Sequence, residues 1–465
     1  MTTWSLAVRN LLRNRRRSLA TLLAMCIGAA AILIFGGYST NIKYSMQTSY
    51  VRTGGHLQIQ HKDYYLFGSG NPTAYGIANY KQLMEAILKD SVLRNMVAVV
   101  SPTLQFGGIA GNFSAGVSRT VIGTGIVASD LNLMRQWNEF DVPLDVPHFI
   151  LDGAAPDAAI IGIGLARVLQ LCMPLGIQDC PQPVAEIQAA GKAIPADIAL
   201  LTETENKSTA AKATPNGARI ELLAGHSKGT PNVAALTILQ AEGQGFKEYD
   251  DVAVIMQLAQ AQQLLYGRSD PKATSIMIQL QRSAQLPAAA ARLKILLQSL
   301  APDQPLAVLD FEMLNPFYVQ TIQLFDTMFG FIFTLIGAIV LFTVTNTMNT
   351  AVVERTVEIG TLRAIGLRRA GIRQLFVTEG ILVGFVGAIS GALLALLVAF
   401  IVNRLDLTWL PPGSSEPLPL ILRIWGEAKM LVGTTLGLVT IAAASAWWPA
   451  YRAARLNVVD ALRHA

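Results

Sequence analysis

The sequence has no phosphate loop: no G-x-x-x-x-G-K-[ST] segment occurs in its 465 residues. The chain therefore cannot bind and hydrolyse ATP by that route. Cysteine is scarce, with three residues, and none of the five histidines lies close to them in sequence, which argues against a Cys-His metal site. The net charge of +5 is only a weak indication of a nucleic-acid partner.

Long apolar runs are absent from residues 41–320, but four lie outside that range. About 20 residues are needed to cross a hydrocarbon core of roughly 30 Å. We predict transmembrane helices at residues 18–38, 325–349, 376–402 and 429–448. The first is interpreted as a retained span, because it is longer than a usual signal-peptide core and no Ala-x-Ala site follows; a cleaved signal is the alternative.

Thirteen arginines fall in three short segments beside these runs, and by the positive-inside rule these segments face the cytoplasm. The segments are residues 1–17, 353–373 and 449–465, and the arginines are Arg9, Arg13, Arg15, Arg16, Arg17, Arg355, Arg363, Arg368, Arg369, Arg373, Arg452, Arg455 and Arg463. Trp4 to Asn14 has the spacing of an interfacial amphipathic helix. Residues 403–428 form a short outer loop.

The predicted fold is an α-helical membrane protein with four transmembrane helices plus a large α+β extracytoplasmic domain, residues 41–320, between helices 1 and 2. The domain should have two lobes. Its strand and helix patterns include Gly55–Gln60, Val117–Ile122, Tyr80–Lys89, Leu286–Leu300 and the strand-then-helix segment Asp251–Tyr266. A helix from Phe317 to Glu354 would be about 55 Å long and would protrude from the membrane as a stalk, unless it tilts or breaks near Gly330 or Gly337.

Three short patterns mimic other sites and are judged weak. Gly225 to Gly229 fits the G-x-S-x-G hydrolase elbow, but the only later histidine, His464, lies across the predicted membrane. Gly123 to Ala128 mimics a dinucleotide fingerprint in a compartment poor in nucleotide. His56, His61 and Asp63 could bind a metal, although an exposed polar strand end is the simpler reading.

The stretch from Val353 to Gly380 carries an ordered pattern of E-R, E-I-G, L-R-A-I-G and a Glu-Gly that opens the next span. The tail from Pro449 reads P-x-x-R-A-A-R-L-x-x-x-x-A-L-R, and Gly162 to Leu171 contains G-x-x-L-A-x-x-L. In these motifs the chain resembles the FtsX/MacB/LolE-type permeases of the type VII ABC superfamily. The Gly-Asp step expected after Leu171 is missing, so the resemblance does not cover the insertion at 172–217.

The resemblance implies a coupling helix at 353–373 that docks on a separate ATPase subunit. The implied coupling residues are Glu354, Arg355, Glu358, Ile359, Gly360, Leu362, Arg363, Ala364 and Gly366. Gly360 and Gly366 should break the helical pattern. The alternative is a basic loop that only fixes topology.

The resemblance further implies a non-enzymatic permease subunit in the bacterial inner membrane, with both termini cytoplasmic and the large domain in the periplasm. Its protein partners would be two copies of an ABC ATPase, a second permease that is identical or homologous, and a periplasmic lipoprotein carrier or adaptor. ATP and Mg would bind to the ATPase and not to this chain. The chain would also contact membrane lipid, and no nucleic-acid partner is expected. The implied cargo is a lipoprotein or another amphiphile. The alternative function is a mechanotransmitting signal transducer that activates an extracytoplasmic hydrolase without transport.

Small residues recur along the third and fourth predicted spans, where they allow helices to approach closely. These helix-packing candidates are Gly380, Gly384, Gly387, Gly391, Gly433 and Gly437, with Ala388 in the first series. They could serve packing within the chain or a contact with a second permease.

Cys172 and Cys180 should form a local disulfide in an oxidising compartment; two buried free thiols are the alternative. We expect a membrane-impermeant thiol reagent to label neither cysteine until a reductant is added. In Cys172→Ser, Cys180 should label without reductant. Labelling of the unreduced parent protein at these positions would mean that the thiols are free.

Overall fold

A computed structural model of the chain describes residues 3–13, 15–68, 70–143, 146–177, 218–225, 230–245, 247–405, 407–409 and 418–456. The chain divides into two compact units. The first contains the residues up to Ser45, Phe317–Trp409 and those from Leu418 onward, and the second contains Met46–Pro316.

Helices account for most of the first unit and flank the strands of the second. In chain order they are α1 Thr3–Arg13, α2 Arg15–Gly54, α3 Tyr64–Phe67, α4 Tyr80–Lys89, α5 Ala128–Arg135, α6 Ile163–Val168, α7 Cys172–Leu175, α8 Lys247–Asp250, α9 Leu258–Tyr266, α10 Leu286–Leu300, α11 Phe311–Leu314, α12 Pro316–Glu354, α13 Thr356–Ala364, α14 Arg369–Arg404 and α15 Ala428–Ala454.

The strands form one large sheet and one short hairpin. They are β1 Leu57–His61, β2 Val97–Asn112, β3 Val117–Ile126, β4 Ala158–Gly162, β5 Ala218–Gly225, β6 Pro231–Glu242, β7 Ala253–Gln257, β8 Ser275–Leu280, β9 Leu306–Asp310, β10 Thr408–Trp409 and β11 Leu418–Pro419. The strand and helix patterns predicted for the α+β domain are confirmed, including the strand and helix between Asp251 and Tyr266.

Four helices in the described part of the chain, α2, α12, α14 and α15, are long and apolar enough to cross a membrane. Each of the four is longer than the apolar run that predicted it. Helix α12 has 39 residues and runs without a break through Gly330 and Gly337, which gives it a length of about 59 Å. The predicted continuous helix is therefore confirmed.

The prediction that the fourth span ends near Trp448 and Pro449 is wrong, because helix α15 continues to Ala454. Proline has no amide hydrogen, so Pro449 leaves the carbonyl of Ser445 without its intrahelical donor. The Thr345 hydroxyl of α12 donates to that carbonyl at 3.2 Å. A neighbouring helix thus supplies the missing hydrogen bond, which is how apolar helix bundles tolerate an internal proline.

The small residues of α14 pack against two other helices of the same chain. A Cβ added at Gly380 would lie 2.6 Å from the Ala446 Cβ of α15, and one at Gly387 would lie 2.6 Å from the Met25 Cβ of α2. In α14, Gly384 is similarly close to Ala442 and Gly391 to Ala29. In α15, Gly437 is similarly close to Phe333. A Cβ at Gly433 would meet no atom of the described chain within 4 Å. A contact of these residues with a second permease stays a prediction.

In the second unit, nine strands form a sheet in the order β3-β7-β4-β6-β5-β2-β8-β1-β9, and β2 also pairs with β3. Six strands therefore close a ring: β2, β3, β7, β4, β6 and β5. Strand β2 is long enough to serve two regions, because Val97–Thr103 pairs with β8 and Thr103–Asn112 pairs with β3. The neighbours β3 and β7, and likewise β4 and β6, are parallel.

Two separate hydrophobic clusters lie in the two regions of the sheet that β2 joins. One fills the ring and includes Phe106, Leu165 and Met256. The other packs α4 and α10 against β1 and β8 and includes Leu83, Leu293 and Ile278. Both clusters lie in the single compact unit that contains Met46–Pro316, and a division of the domain into two lobes stays a prediction.

The G-I-G step at Gly162 to Gly164 has a local cause. The Asp250 carboxylate accepts hydrogen bonds from the backbone N–H of Ile163 at 3.0 Å and of Gly164 at 2.7 Å, which caps α6. Side chains at Gly162 or Gly164 would collide with Asp250 or Asp251. Glycine therefore allows this turn to lie directly on the end of α8.

Cys172 is buried and disulfide-bonded. Cys180, the rest of the insertion to residue 217 and residues 226–229 of the G-x-S-x-G pattern lie outside the described residues. The Cys172–Cys180 pairing therefore stays a prediction. The G-T-G of the supposed dinucleotide fingerprint lies inside β3, so it is part of a strand and not a phosphate-binding turn.

Asp90 joins α4 to α10 by a charged contact. Its carboxylate accepts hydrogen bonds from Arg292 Nη2 at 2.7 Å and Nε at 3.0 Å, and from the backbone N–H groups of Val92 and Leu93. The Arg292 guanidinium, followed by the backbone donor of Leu93, lowers the pKa of Asp90 to about 2.

We expect Asp90→Asn to lower the apparent Tm of the full-length protein by a few degrees at neutral pH. The folded-state pKa is depressed below the ordinary value of 3.8, so the stabilisation is present above about pH 4 and is lost as the pH falls towards 2. The difference between the variant and the parent should shrink in that window. Glu85→Gln, which removes an exposed pair with Lys89, is the control and should change Tm little.

Candidate functional site

The predicted coupling segment lies at one end of the helical unit, where α12, α13 and α14 follow one another. Arg355 separates α12 from α13, and residues 365–368 separate α13 from α14. Gly366 has φ +107°, a left-handed conformation that glycine adopts without strain, so the break predicted there is confirmed. The break predicted at Gly360 is wrong, because this residue lies buried in the middle of α13.

A buried ion pair holds this end of the unit together. Arg355 Nη1 donates to both carboxylate oxygens of Glu379, at 2.9 Å and 3.3 Å, and the two side chains are only 7% and 2% exposed. Asn10 of α1 completes the group: its Nδ2 donates to Glu379 Oε1 at 2.6 Å, and its carbonyl accepts from Arg355 Nη2 at 3.2 Å. The contact therefore ties α1, the α12–α13 junction and α14 together.

Two further pairs link the coupling segment to the N-terminal helices. Arg13 of α1 contacts Glu358 of α13 at 2.7 Å, and Arg17 of α2 contacts Glu354 at the end of α12. The hydrogen bond that Arg13 donates to Glu358 raises the pKa of Arg13. Arg13 and Glu358 are each about half exposed, so their pair contributes to the orientation of α1 more than to stability.

The C-terminal helix is held to the same region by arginine contacts. Arg363 of α13 donates to the carbonyl of Leu456, just beyond α15. The unpaired carbonyls at a helix C-terminus carry partial negative charge, which favours a guanidinium there. Arg373 of α14 lies over the ring of Trp447 at 5.0 Å.

Exposure divides the nine predicted coupling residues into two groups. Arg355, Ile359 and Gly360 are buried, and Leu362 and Arg363 are partly buried. Glu354, Glu358, Ala364 and Gly366 are exposed. The first group therefore builds the unit, and only the second can meet another molecule directly.

Exposed apolar side chains lie beside the second group. Ile365 is 80% exposed and Val353 is 73% exposed, with Val357 and Leu367 also on the surface. Apolar side chains grouped in this way are typical of a surface that another protein covers. We call the set formed by Val353, Val357, Glu358, Ile365 and Leu367 the coupling face.

Sequence reasoning missed Asn10, Arg13 and Arg17 as members of this site. The arginines were noticed, but only as a topology signal. An excess of arginine in two segments does not specify that the segments pair with each other. The amphipathic spacing of α1 gave no indication that Asn10 would reach a carboxylate 369 residues away.

The histidines considered as metal ligands lie in the second unit and are not brought together. His56 is fully buried, with Nδ1 accepting from the Leu280 N–H at 3.0 Å and Nε2 hydrogen-bonded to Ser283 Oγ at 3.2 Å. Both ring nitrogens are thus engaged, and burial lowers the pKa of His56 to about 4. His61 instead lies near Asp63.

Comparison with known proteins identifies the region that contains this site. Residues 328–458, which include α13, α14 and α15, match the profile of the family described as FtsX-like permease C-terminal. This part of the chain is an FtsX-like permease domain. The prediction of an FtsX/MacB-type permease is confirmed for it.

The chain also has curated relatives. The chain is 39% identical over 143 residues to the macrolide export ATP-binding/permease protein MacB of Escherichia coli O157:H7, and to that of Shigella flexneri. The match covers 31% of this chain and 20% of each relative. The chain thus spans about one fifth of the length of the curated relatives it matches.

Two solved structures show a remote likeness. The periplasmic region of MacB from Actinobacillus actinomycetemcomitans has 11% identity and a TM-score of 0.32, covering 57% of this chain and 94% of that one. The extracellular domain of the transporter YknZ from Gram-positive bacteria has 12% identity and a TM-score of 0.29, covering 55% and 99%.

The buried pair in the permease domain can be tested by a double-mutant cycle. Arg355→Met leaves the Glu379 carboxylate buried without its cation, which should destabilise the protein by about 3–5 kcal/mol. The double variant Arg355→Met/Glu379→Met should recover most of this loss, because two apolar side chains need no partner. The measurement is thermal unfolding in detergent.

Arg13→Ala is the control for this cycle, since it removes an exposed arginine from the same region and should change Tm little. If the double variant were as unstable as Arg355→Met, the loss of stability would not come from the unpaired Glu379 carboxylate.

Proposed function

We propose that this chain is the permease subunit of an ABC transporter and that a separate ATPase subunit docks on the coupling face. The observation that carries the proposal is the combination of exposed apolar side chains with a rigidly anchored helix. Ile365 and Val353 present apolar surface, while Arg355, Glu358 and Arg363 fasten α13 to α1, to α14 and to the end of α15. A push on α13 would therefore move the whole end of the permease domain.

The long helices supply the path for this movement. Helices α2 and α12 are about 60 Å long, roughly twice the thickness of a hydrocarbon core. By chain connectivity, α2 leads into the α+β unit and α12 returns from it. Closure of two ATPase subunits would draw two coupling faces together, and the α+β units would respond outside the membrane.

The cargo we propose is a lipoprotein or another amphiphile taken from the outer face of the inner membrane, handled with a second permease subunit and a periplasmic carrier. ATP and Mg would bind to the ATPase partner. Co-purification of a lipid-modified protein from native membranes would support this function. Capture of a wall hydrolase whose activity depends on the complex would instead favour mechanical signalling without transport.

We expect Ile365→Ser to reduce ATPase co-purification at least tenfold, which corresponds to about 1.4 kcal/mol, a modest value for an anchoring side chain at an interface. Ile365 is 80% exposed, so the substitution should leave folding intact. Ile295→Ser, at an exposed position of α10 in the other unit, is the matched control and should bind the ATPase normally.

The outcome that would contradict the proposal is normal ATPase binding and normal stimulation of its turnover by Ile365→Ser and by Glu358→Ala. The coupling segment would then be only a topology-setting loop.

A further inference from the structure

A small cavity lies inside the helical unit, beside the buried ion pair. Its volume is about 20 Å³, and it is bordered by α1, α2, α12 and α14. A cavity of about 10–15 Å³ by this measure is large enough for one water molecule. The polar residues that border it are Arg17, Ser18, Thr21, Thr347, Arg355 and Glu379.

Two of these residues have a buried donor without a partner. Arg355 Nε and Arg17 Nη1 are each shielded from solvent and make no hydrogen bond within the described chain. The Nη1 and Nη2 atoms of Arg355 are paired with Glu379 and Asn10, and Nη2 of Arg17 is paired with Glu354. Leaving a buried charged donor without an acceptor is costly, so these two nitrogens require an acceptor.

The charged residues that line the cavity determine which molecule or ion can bind there. The cavity presents two cationic donors and, from Glu379, an anionic acceptor. A halide could accept from the arginines but would lie beside the carboxylate, where the two negative charges repel in a medium of low dielectric constant. One water molecule has two lone pairs for the arginine donors and two hydrogens for the carboxylate and a threonine hydroxyl.

We propose that this cavity is a binding site for a single water molecule that bridges Arg17 of α2, Arg355 and Glu379 of α14. Hydroxyl groups of Thr21 and Thr347, which contact each other at 2.9 Å, form the rest of its polar wall. The water completes the charge network at the junction of α12 and α13. It also gives the arginines a replaceable partner at the place where the coupling segment must transmit movement.

The test is solid-state NMR of the full-length protein in lipid bilayers with ¹⁵N-labelled arginine. The Arg355 Nε–H should show a cross peak to water protons, which a bound halide cannot produce. Ala351→Leu fills the cavity from α12, and Val383→Leu fills it from α14, so both should abolish the cross peak. Ala338→Leu makes the same change as Ala351→Leu on the exposed surface of α12 and should retain it.

Absence of the cross peak from the parent protein would overturn the proposal, and so would its persistence in a folded variant with a filled cavity. If neither filled variant folds, the parent spectrum alone decides. The readout does not depend on an ATPase partner. Failure here is therefore distinguishable from failure of the proposed function.

Discussion

The ion pair between Arg355 and Glu379 is the constraint on which the permease domain depends. Two charges in an apolar bundle are stable only when their geometry satisfies nearly all of their hydrogen bonds. That demand fixes the rotation of α14, the end of α12 and the position of Asn10 in α1 at the same time. The small residues along α14 serve other contacts, because Gly380 lies against Ala446 of α15 and Gly387 lies against Met25 of α2.

The sequence was sufficient for the features that have a local signal. Long apolar runs identified four helices, alternation identified β3, and the ordered motif indicated the FtsX-like region, because each depends on residues adjacent in the chain. The ends of the helices were less predictable. Pro449 looked like the end of α15, but the Thr345 hydroxyl, about 100 residues earlier, replaces the hydrogen bond that proline removes.

Long-range pairing was beyond sequence reasoning for the same reason. The closed ring of six strands requires β2 to pair with β3, β5 and β8 along different parts of its length. No local pattern in Val97–Asn112 encodes three partners. The partners of Glu379 are likewise set by packing, since a single glutamate at the start of an apolar run equally fits a membrane-interface position.

A motif that is partly buried and partly exposed serves two physical purposes. In the E-R, E-I-G and L-R-A-I-G pattern, the buried members Arg355, Ile359 and Gly360 fix where α13 lies, and the exposed members set what it presents. Substitutions in the buried members change stability and contact together, so their effect on coupling is ambiguous. Ile365 directly follows α13 and is 80% exposed, so it contributes little to the stability of the fold. A loss of coupling in a variant of Ile365 would therefore come from the changed surface and not from unfolding.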